Sequence, residues 1–217
     1  MKVYAINGSP RKNKNTATLL QKALEGVKEA AKDKEIETEI INLYDLNYTG
    51  CKSCFACKRL GGVSYGKCAV KDDIQEVLEK VSQADGIVFG SPIYLGTITG
   101  QLQSFIERLI FPYLVYDENY STLSPKKMPT AFIYTMNAPE EVMNKLGYLK
   151  TFDHIESTIE HIFTKPLAMY SNNTYQFDDY SKYKSNAFSE EAKAAHRKIQ
   201  FPLDCQKAFE LGASLIK

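Results

Sequence analysis

The sequence predicts an α/β fold built on a parallel sheet, and three observations carry that expectation. Short apolar runs alternate with amphipathic helical patterns about five times along the chain. Runs such as Gly86-Ile87-Val88-Phe89-Gly90-Ser91 lack the polar/apolar alternation of a half-exposed strand, as expected for strands covered on both faces. The first run, Lys2 to Ile6, leads into a long polar loop and then a helix start, the arrangement with which such sheets hold phosphate groups.

The elements follow in order. Thr16, Leu19, Leu20, Ala23, Leu24 and Val27 recur at helical spacing and predict a helix over 15–32 with one buried face. Ile36 to Leu43 alternates and is rich in β-formers, which reads as a second strand. Asp72 and Asp73, with Gln75 and Glu76 three residues beyond them, read as a side-chain-capped start to a helix bearing Ile74, Val77, Leu78 and Val81. Residues 86–91 form the third strand. Leu102, Phe105, Ile106, Leu109 and Ile110 mark a helix face that Pro112 stops. Pro129 to Met136 and Pro166 to Tyr170 read as the last two strands, with a mostly helical stretch, Glu140 to Phe163, between them. Ser189 opens a C-terminal helical region that Pro202 is expected to interrupt, its second half burying Cys205, Ala208, Phe209, Gly212 and Leu215. Residues 1–217 contain no linker, repeat or low-complexity tract and read as one domain. That domain carries a cysteine-rich segment, 51–68, and two long connections, 111–127 and 171–188, each readable as a lid or contact surface or as mobile decoration.

Charge and composition exclude several classes. With 27 basic and 26 acidic residues the net charge is +1, so no global field draws the chain to nucleic acid or to a membrane surface. No stretch approaches the roughly 18 apolar residues of a membrane span. The N-terminal apolar run is too short for a secretory signal. The five cysteines are therefore expected as thiols in a reducing, cytoplasmic setting rather than as disulfides.

In an open parallel sheet, ligands sit outside the carboxyl ends of the strands. Three segments should meet there. In the first, residues 7–16, Ser9, Asn13, Asn15 and Thr16 offer short-reach donors, Arg11, Lys12 and Lys14 bring positive charge, and Pro10 stiffens the loop. In the second, Pro92, Ile93, Tyr94, Leu95 and Gly96 form a rigid turn carrying an aromatic ring; with no Trp in the chain, stacking falls to Tyr or Phe. The third, Thr135, Met136 and Asn137, offers backbone amides. A plain βα loop and a half-buried surface tyrosine are the competing readings. The absence of G-x-x-x-x-G-K-[ST] and of G-x-G-x-x-G argues against a nucleoside triphosphatase and a dinucleotide fingerprint. The first loop has no cysteine, which disfavours a cysteine phosphatase.

The second signal is Cys51-x₂-Cys54-x₂-Cys57 followed by Cys68. Thiolates at two-residue intervals resemble a ferredoxin-type loop, whereas zinc sites pair two separated Cys-x₂₋₄-Cys units. Ten residues separate Cys57 from Cys68, and Ala rather than Pro follows Cys68. A [4Fe–4S] cluster and bare thiols both stay open, with zinc behind them. Cys205 lies on an apolar helix face, consistent with packing.

Asn7-Gly8-Ser9-Pro10-Arg11 with Asn15-Thr16, Cys51, Cys54 and Cys57 with Gly66-Lys67-Cys68 and Asp72-Asp73, Gly90-Ser91-Pro92-Ile93-Tyr94, and Phe105-Ile106-Glu107-Arg108 together resemble the NADPH-dependent FMN reductase and iron–sulfur flavoprotein family, over roughly residues 1–140. The resemblance implies a flavodoxin-like three-layer sandwich: a five-stranded parallel sheet in the order 2-1-3-4-5 with helices on both faces. It implies FMN, its phosphate held by residues 9–16 and its isoalloxazine by 92–97 and 135–138. NAD(P)H would be the hydride donor, and a quinone, free flavin or an electron-carrier protein the acceptor. It also implies a homodimer or homotetramer whose neighbouring subunit helps cover the flavin. Since the flavin carries the chemistry, no catalytic side chain is expected, and His154, His161 and His196 are given no role. The alternative is an electron carrier with a [4Fe–4S] cluster on Cys51, Cys54, Cys57 and Cys68, from whose usual spacing the Cys57–Cys68 interval departs.

Overall fold

The computed structural model describes residues 1–32 and 34–216. Strands β1 (Lys2–Asn7), β2 (Glu37–Asn42), β3 (Gly86–Pro92), β4 (Thr130–Thr135) and β5 (Leu167–Ser171) alternate with helices α1 (Asn15–Ala31), α2 (Gln75–Ser82), α3 (Gly100–Ile110), α4 (Glu140–Lys145), α5 (Tyr148–Ile162) and α6 (Glu190–Ser214). All strand pairs are parallel and the order is β2-β1-β3-β4-β5, as the family resemblance implies.

The uninterrupted apolar runs have a simple cause. Successive side chains of a strand point to opposite faces, and both faces are covered. Tyr4, Ile6, Phe89, Phe132 and Tyr134 point into a core closed by α2, α3 and α5, while Val3, Ala5, Val88, Ala131 and Ile133 meet α1 and α6. On the α6 side the two helices touch backbone to backbone. A Cβ on Gly26 would lie 1.9 Å from the Phe209 carbonyl oxygen, and one on Gly212 would lie 1.9 Å from that of Ala23.

The opposite core is aromatic. Tyr134 stacks between Phe132 and Phe152 at centroid distances of 4.6 and 4.3 Å, and its hydroxyl donates to Glu156 Oε1 at 3.0 Å. Burial raises the Glu156 carboxyl above its ordinary range, opposed by the Tyr134 hydrogen bond. The folded chain therefore retains a proton that the unfolded chain releases, and this group's contribution falls as pH rises from the ordinary carboxylate value through the raised one. Glu156→Gln is accordingly expected to match the parent in urea unfolding at pH 4 and to exceed it at pH 8. Equal stabilities at both values would contradict the assignment.

Two expectations are corrected. Asp72 and Asp73 do not cap α2, whose N-cap is Ile74 and has no side-chain hydrogen bond. They have stronger claims elsewhere: Asp72 pairs with Arg108, and Asp73 accepts from the Asn47 amide at 2.7 Å. The stretch 140–163 is mostly helical as expected, divided into α4 and α5. The C-terminal helix runs unbroken through Pro202 for 25 residues. Pro202 and Lys198 are both exposed, so water can take the carbonyl that loses its N–H partner.

Candidate functional site

Register aligns the carboxyl ends of β1, β3 and β4: Asn7 pairs with Gly90, and Pro92 with Thr135. Hydrogen bonds then knit the three loops beyond them. Gly8 N donates to Gly90 O at 2.8 Å, Thr99 Oγ1 to Gly8 O at 2.8 Å, and Ile93 N to Thr135 O at 2.9 Å. The hydroxyls of Thr16 and Thr135 meet at 2.8 Å.

The first loop is organised from within. Buried Asn7 accepts from Ser9 N at 3.0 Å, and the hydroxyl of buried Ser9 accepts from Arg11 N at 3.2 Å. Helix α1 follows with no side-chain cap, and the N–H groups of Asn15, Thr16 and Ala17 have no acceptor among the described residues. These uncompensated donors lie at the positive end of a 17-residue helix dipole.

The side chains of this loop are used differently from the expectation. Arg11 Nη1 donates to Gln176 O at 2.7 Å, Lys14 pairs with Asp178, and Asn15 Nδ2 donates to Tyr175 O at 3.0 Å. Asn15 Oδ1 accepts from Arg197 at 2.6 Å. Lys12 pairs with Asp45 at 2.6 Å, and Asn13 is exposed. The early part of the 171–188 connection is thus a strap laid across the first loop, and its own rings pack together, with Phe177 stacked on Tyr183 at 4.0 Å.

The second turn is a tight one. Tyr94 N donates to Thr97 O and Thr97 N to Tyr94 O, at 2.9 and 3.2 Å, with Leu95 at φ +52° and Gly96 at φ +85°. Both central residues are left-handed, the type I′ geometry. Glycine adopts it freely; for Leu95 it costs about 1–2 kcal/mol, and the leucyl side chain is fully exposed. Such strain persists where surrounding structure holds it, often at ligand clamps. Tyr94 is 44% exposed at the same edge.

The third turn is tied from behind. Met136 N donates to Ser171 O at 2.9 Å. Thr174 N donates to Met136 O at 3.0 Å, Asn173 N to Ala138 O at 2.9 Å, and Lys193 Nζ to Asn137 O at 3.2 Å. The N–H groups of Asn137 and Ala138 have no acceptor among the described residues, and Asn137 Oδ1 is buried without a partner. Lys193 is itself buried, and desolvation pushes its pKa down.

The cysteine-rich segment lies against α3. Cys51, Cys54, Cys57 and Cys68 all line one small cavity with Phe55, Arg108 and Phe111. Cys51 and Cys54 are exposed and Cys57 is buried, with burial raising its thiol pKa. Glu107 Oε2 accepts from Cys51 N at 3.1 Å, and Arg108 Nε donates to Cys68 Sγ at 3.2 Å. The other guanidinium donors go to both oxygens of Asp72, at 2.5 and 3.0 Å, and to the carbonyls of Thr49 and Val70. All five donors of a side chain 2% exposed are satisfied. Lys58 donates to the carbonyls of Phe111 and Leu114, where α3 ends. Among the described residues, no three His, Cys, Asp or Glu side chains are gathered as metal ligands. As arranged, the four cysteines share a cavity without closing into a ligand set.

The predicted rim residues Ser9 to Thr16, Pro92 to Gly96 and Thr135 to Asn137 do come together. Sequence reasoning missed Lys193 and Arg197, and it read 171–188 as a lid or contact surface or as mobile decoration without tying residues 173–178 to the first and third turns. A signal existed: counting back from Leu215 through Gly212, Ala208, Asp204, Phe201 and Arg197 to Lys193 traces one helix face. His196, given no role, lies against Ser171–Tyr175, and its Nε2 is buried with no partner among the described residues.

No helix among the described residues is long and apolar enough to cross a membrane. Among solved structures, the FMN-dependent NADH-azoreductase of Bacillus anthracis in complex with FMN superposes with a TM-score of 0.68 at 14% identity, covering 100% of both chains. The NAD(P)H:quinone oxidoreductase of Methanothermobacter marburgensis gives 0.66 at 15% identity, over 100% of this chain and 96% of that one. At those identities the likeness speaks for the fold. In sequence, an iron–sulfur flavoprotein of Methanocaldococcus jannaschii is 42% identical over 108 residues, 50% of this chain and 51% of its own. One from Archaeoglobus fulgidus is 45% identical over 108 residues, 50% and 48% of the two chains. The matches to these two relatives thus span about half of their length. A family model described as NADPH-dependent FMN reductase matches residues 1–143, about two thirds of the sequence, and the chain belongs to that family.

Proposed function

We propose that the protein is an FMN-dependent NAD(P)H oxidoreductase passing reducing equivalents to a small acceptor such as a quinone or free flavin, or to an electron-carrier protein. One observation carries the reading. Two sets of free backbone amides, at Asn15–Ala17 and at Asn137–Ala138, flank the strained turn that presents Tyr94. This is a donor nest for a phosphate at one end and a donor pair for the polar edge of a planar ring at the other. Relatives and structural neighbours named for FMN, NAD(P)H and quinone chemistry support it.

When bound, FMN would supply the hydride-accepting and electron-donating chemistry, and the chain's residues would bind and orient it. Ser9 shapes the phosphate loop, and the amides of Asn15 and Thr16, with Asn13 beside them, would hold the dianion. Arg11 adds charge from the rim while its guanidinium holds the strap. Pro92, Ile93, Tyr94, Leu95 and Gly96 carry the stacking ring. Thr135 ties the third turn to α1, and Met136 and Asn137 supply the turn itself.

The chain saturated with FMN is expected to oxidise NADH or NADPH with quinone, ferricyanide or free flavin as acceptor. No turnover with either nucleotide and all three acceptors would end this reading. A single domain, a cytoplasmic setting suited to five free thiols, and a homodimer or homotetramer covering the exposed Tyr94 edge belong to the same proposal.

A second reading makes the chain an electron carrier with a [4Fe–4S] cluster on Cys51, Cys54, Cys57 and Cys68. It is favoured by the four cysteines lining one cavity and by relatives named iron–sulfur flavoproteins. It requires the segment to rearrange. Anaerobic reconstitution decides: about four irons and four sulfides per chain would establish it, and an iron-free protein with four titratable thiols would dismiss it.

A further inference from the structure

We infer that Lys193, on α6 and beyond the family-matched residues 1–143, is a positioning residue that sets the electron affinity of the bound flavin through the 136–138 turn. The inference rests on the FMN reading above.

The coupling runs through peptide units. The carbonyl of Met136 and the N–H of Asn137 belong to one peptide group, and the carbonyl of Asn137 and the N–H of Ala138 to the next. Each of the two carbonyls accepts a hydrogen bond from the β5–α6 side: Met136 O from Thr174 N at 3.0 Å, and Asn137 O from Lys193 Nζ at 3.2 Å. Accepting a bond at the carbonyl polarises the amide at the other end of the same group, so each free N–H becomes a stronger donor. The second peptide is engaged by an ammonium, and charge-assisted bonds are roughly twice as strong as neutral ones.

Lys193 is placed for this role. It is 3% exposed. No carboxylate pairs with it among the described residues. Its second bond, to Asn173 Oδ1 at 2.7 Å, fixes the segment whose amide holds Ala138 O, and its ammonium lies 4.9 Å from the Phe188 ring centroid. Burying a cation without a counter-ion is unfavourable. The arrangement becomes useful when negative charge appears beyond the two free amides, and reduction of a flavin places negative charge on its pyrimidine edge. Interactions stronger in the reduced than in the oxidised form raise the potential.

The test is the affinity of the FMN-loaded protein for the two oxidation states, by anaerobic titration and spectroelectrochemistry. Lys193→Met is expected to hold oxidised FMN within about threefold of the parent. It should hold reduced FMN about tenfold more weakly, a fall of about 30 mV for a two-electron couple. Lys193→Arg should restore the ratio to within about threefold. If K193M does not fold, Lys193→Gln, which keeps a donor but no charge, is expected to show the same tenfold loss. An unchanged ratio, or equal loss of both forms, overturns the inference. A parent chain that takes up no FMN instead sinks the flavin reading. Hydrogen exchange then tests what Lys193 does to the turn: K193M should speed exchange at Met136, Asn173 and Thr174 about tenfold while K193R does not, and unchanged rates overturn the assignment.

Discussion

Replacing Arg108 by Met is expected to cost about 3–5 kcal/mol of folding stability, the scale seen when one partner of a buried ion pair is removed. The side chain is 2% exposed and its five donors serve Asp72, Thr49, Val70 and Cys68. Without it the Asp72 carboxylate loses its counter-ion, and two carbonyls and a sulfur lose their donors. The expected result is a lower urea midpoint together with faster labelling of buried Cys57 by a thiol reagent, because the guanidinium fastens 49–72 to α3. Arg108→Lys should recover little, since an ammonium has three donors and no planar fork. A loss under 1 kcal/mol with unchanged labelling would show that the segment is held by something else.

The second large effect concerns the α1–α6 contact. Gly212→Ala puts a methyl 1.9 Å from the Ala23 carbonyl oxygen, and both clashing groups are helix backbone that cannot turn aside. The helices must separate, at about 3 kcal/mol, the upper end of the usual overpacking cost. Gly100→Ala is the control: its Cβ would meet nothing within 4 Å, and stability should hold or rise by a few tenths of a kcal/mol. Since α6 carries Lys193 and Arg197 to the rim, G212A is also expected to weaken FMN binding in a titration. Equal urea midpoints for the two variants would refute the close approach.

Most of the sheet was legible because burial on both faces imposes a pattern that needs no tertiary information. The runs at 86–91 and 129–136 carry no charge and no polar/apolar alternation, and turn residues bound them. The rim was legible for a related reason, since the loops after β1, β3 and β4 must gather at one end of a parallel sheet. What escaped notice depended on partners distant in sequence. Asp72 has the composition of a cap, and nothing local reveals that Arg108, 36 residues on, has the stronger claim. Pro202 suggests a break, because the proline rule is local while the exposure that makes it tolerable is not. Expecting that break hid the helix face that carries Lys193 and Arg197. Asn15 and Arg11 were identified as site residues from their place in the loop, but the side-chain bonds they make are with residues more than 150 positions away.

Those last contacts bear on the order in which the molecule can be completed. The cradle is closed by segments far apart in the chain: residues 9–16 are synthesised well before residues 175–197, which hold the carbonyls, carboxylate and guanidinium that engage them. A nascent chain that has emerged only as far as β4 has the floor of the site but neither its clasp nor the lysine behind its third turn. Cofactor capture in this form therefore waits on residues 175–197 and is coupled to the docking of α6.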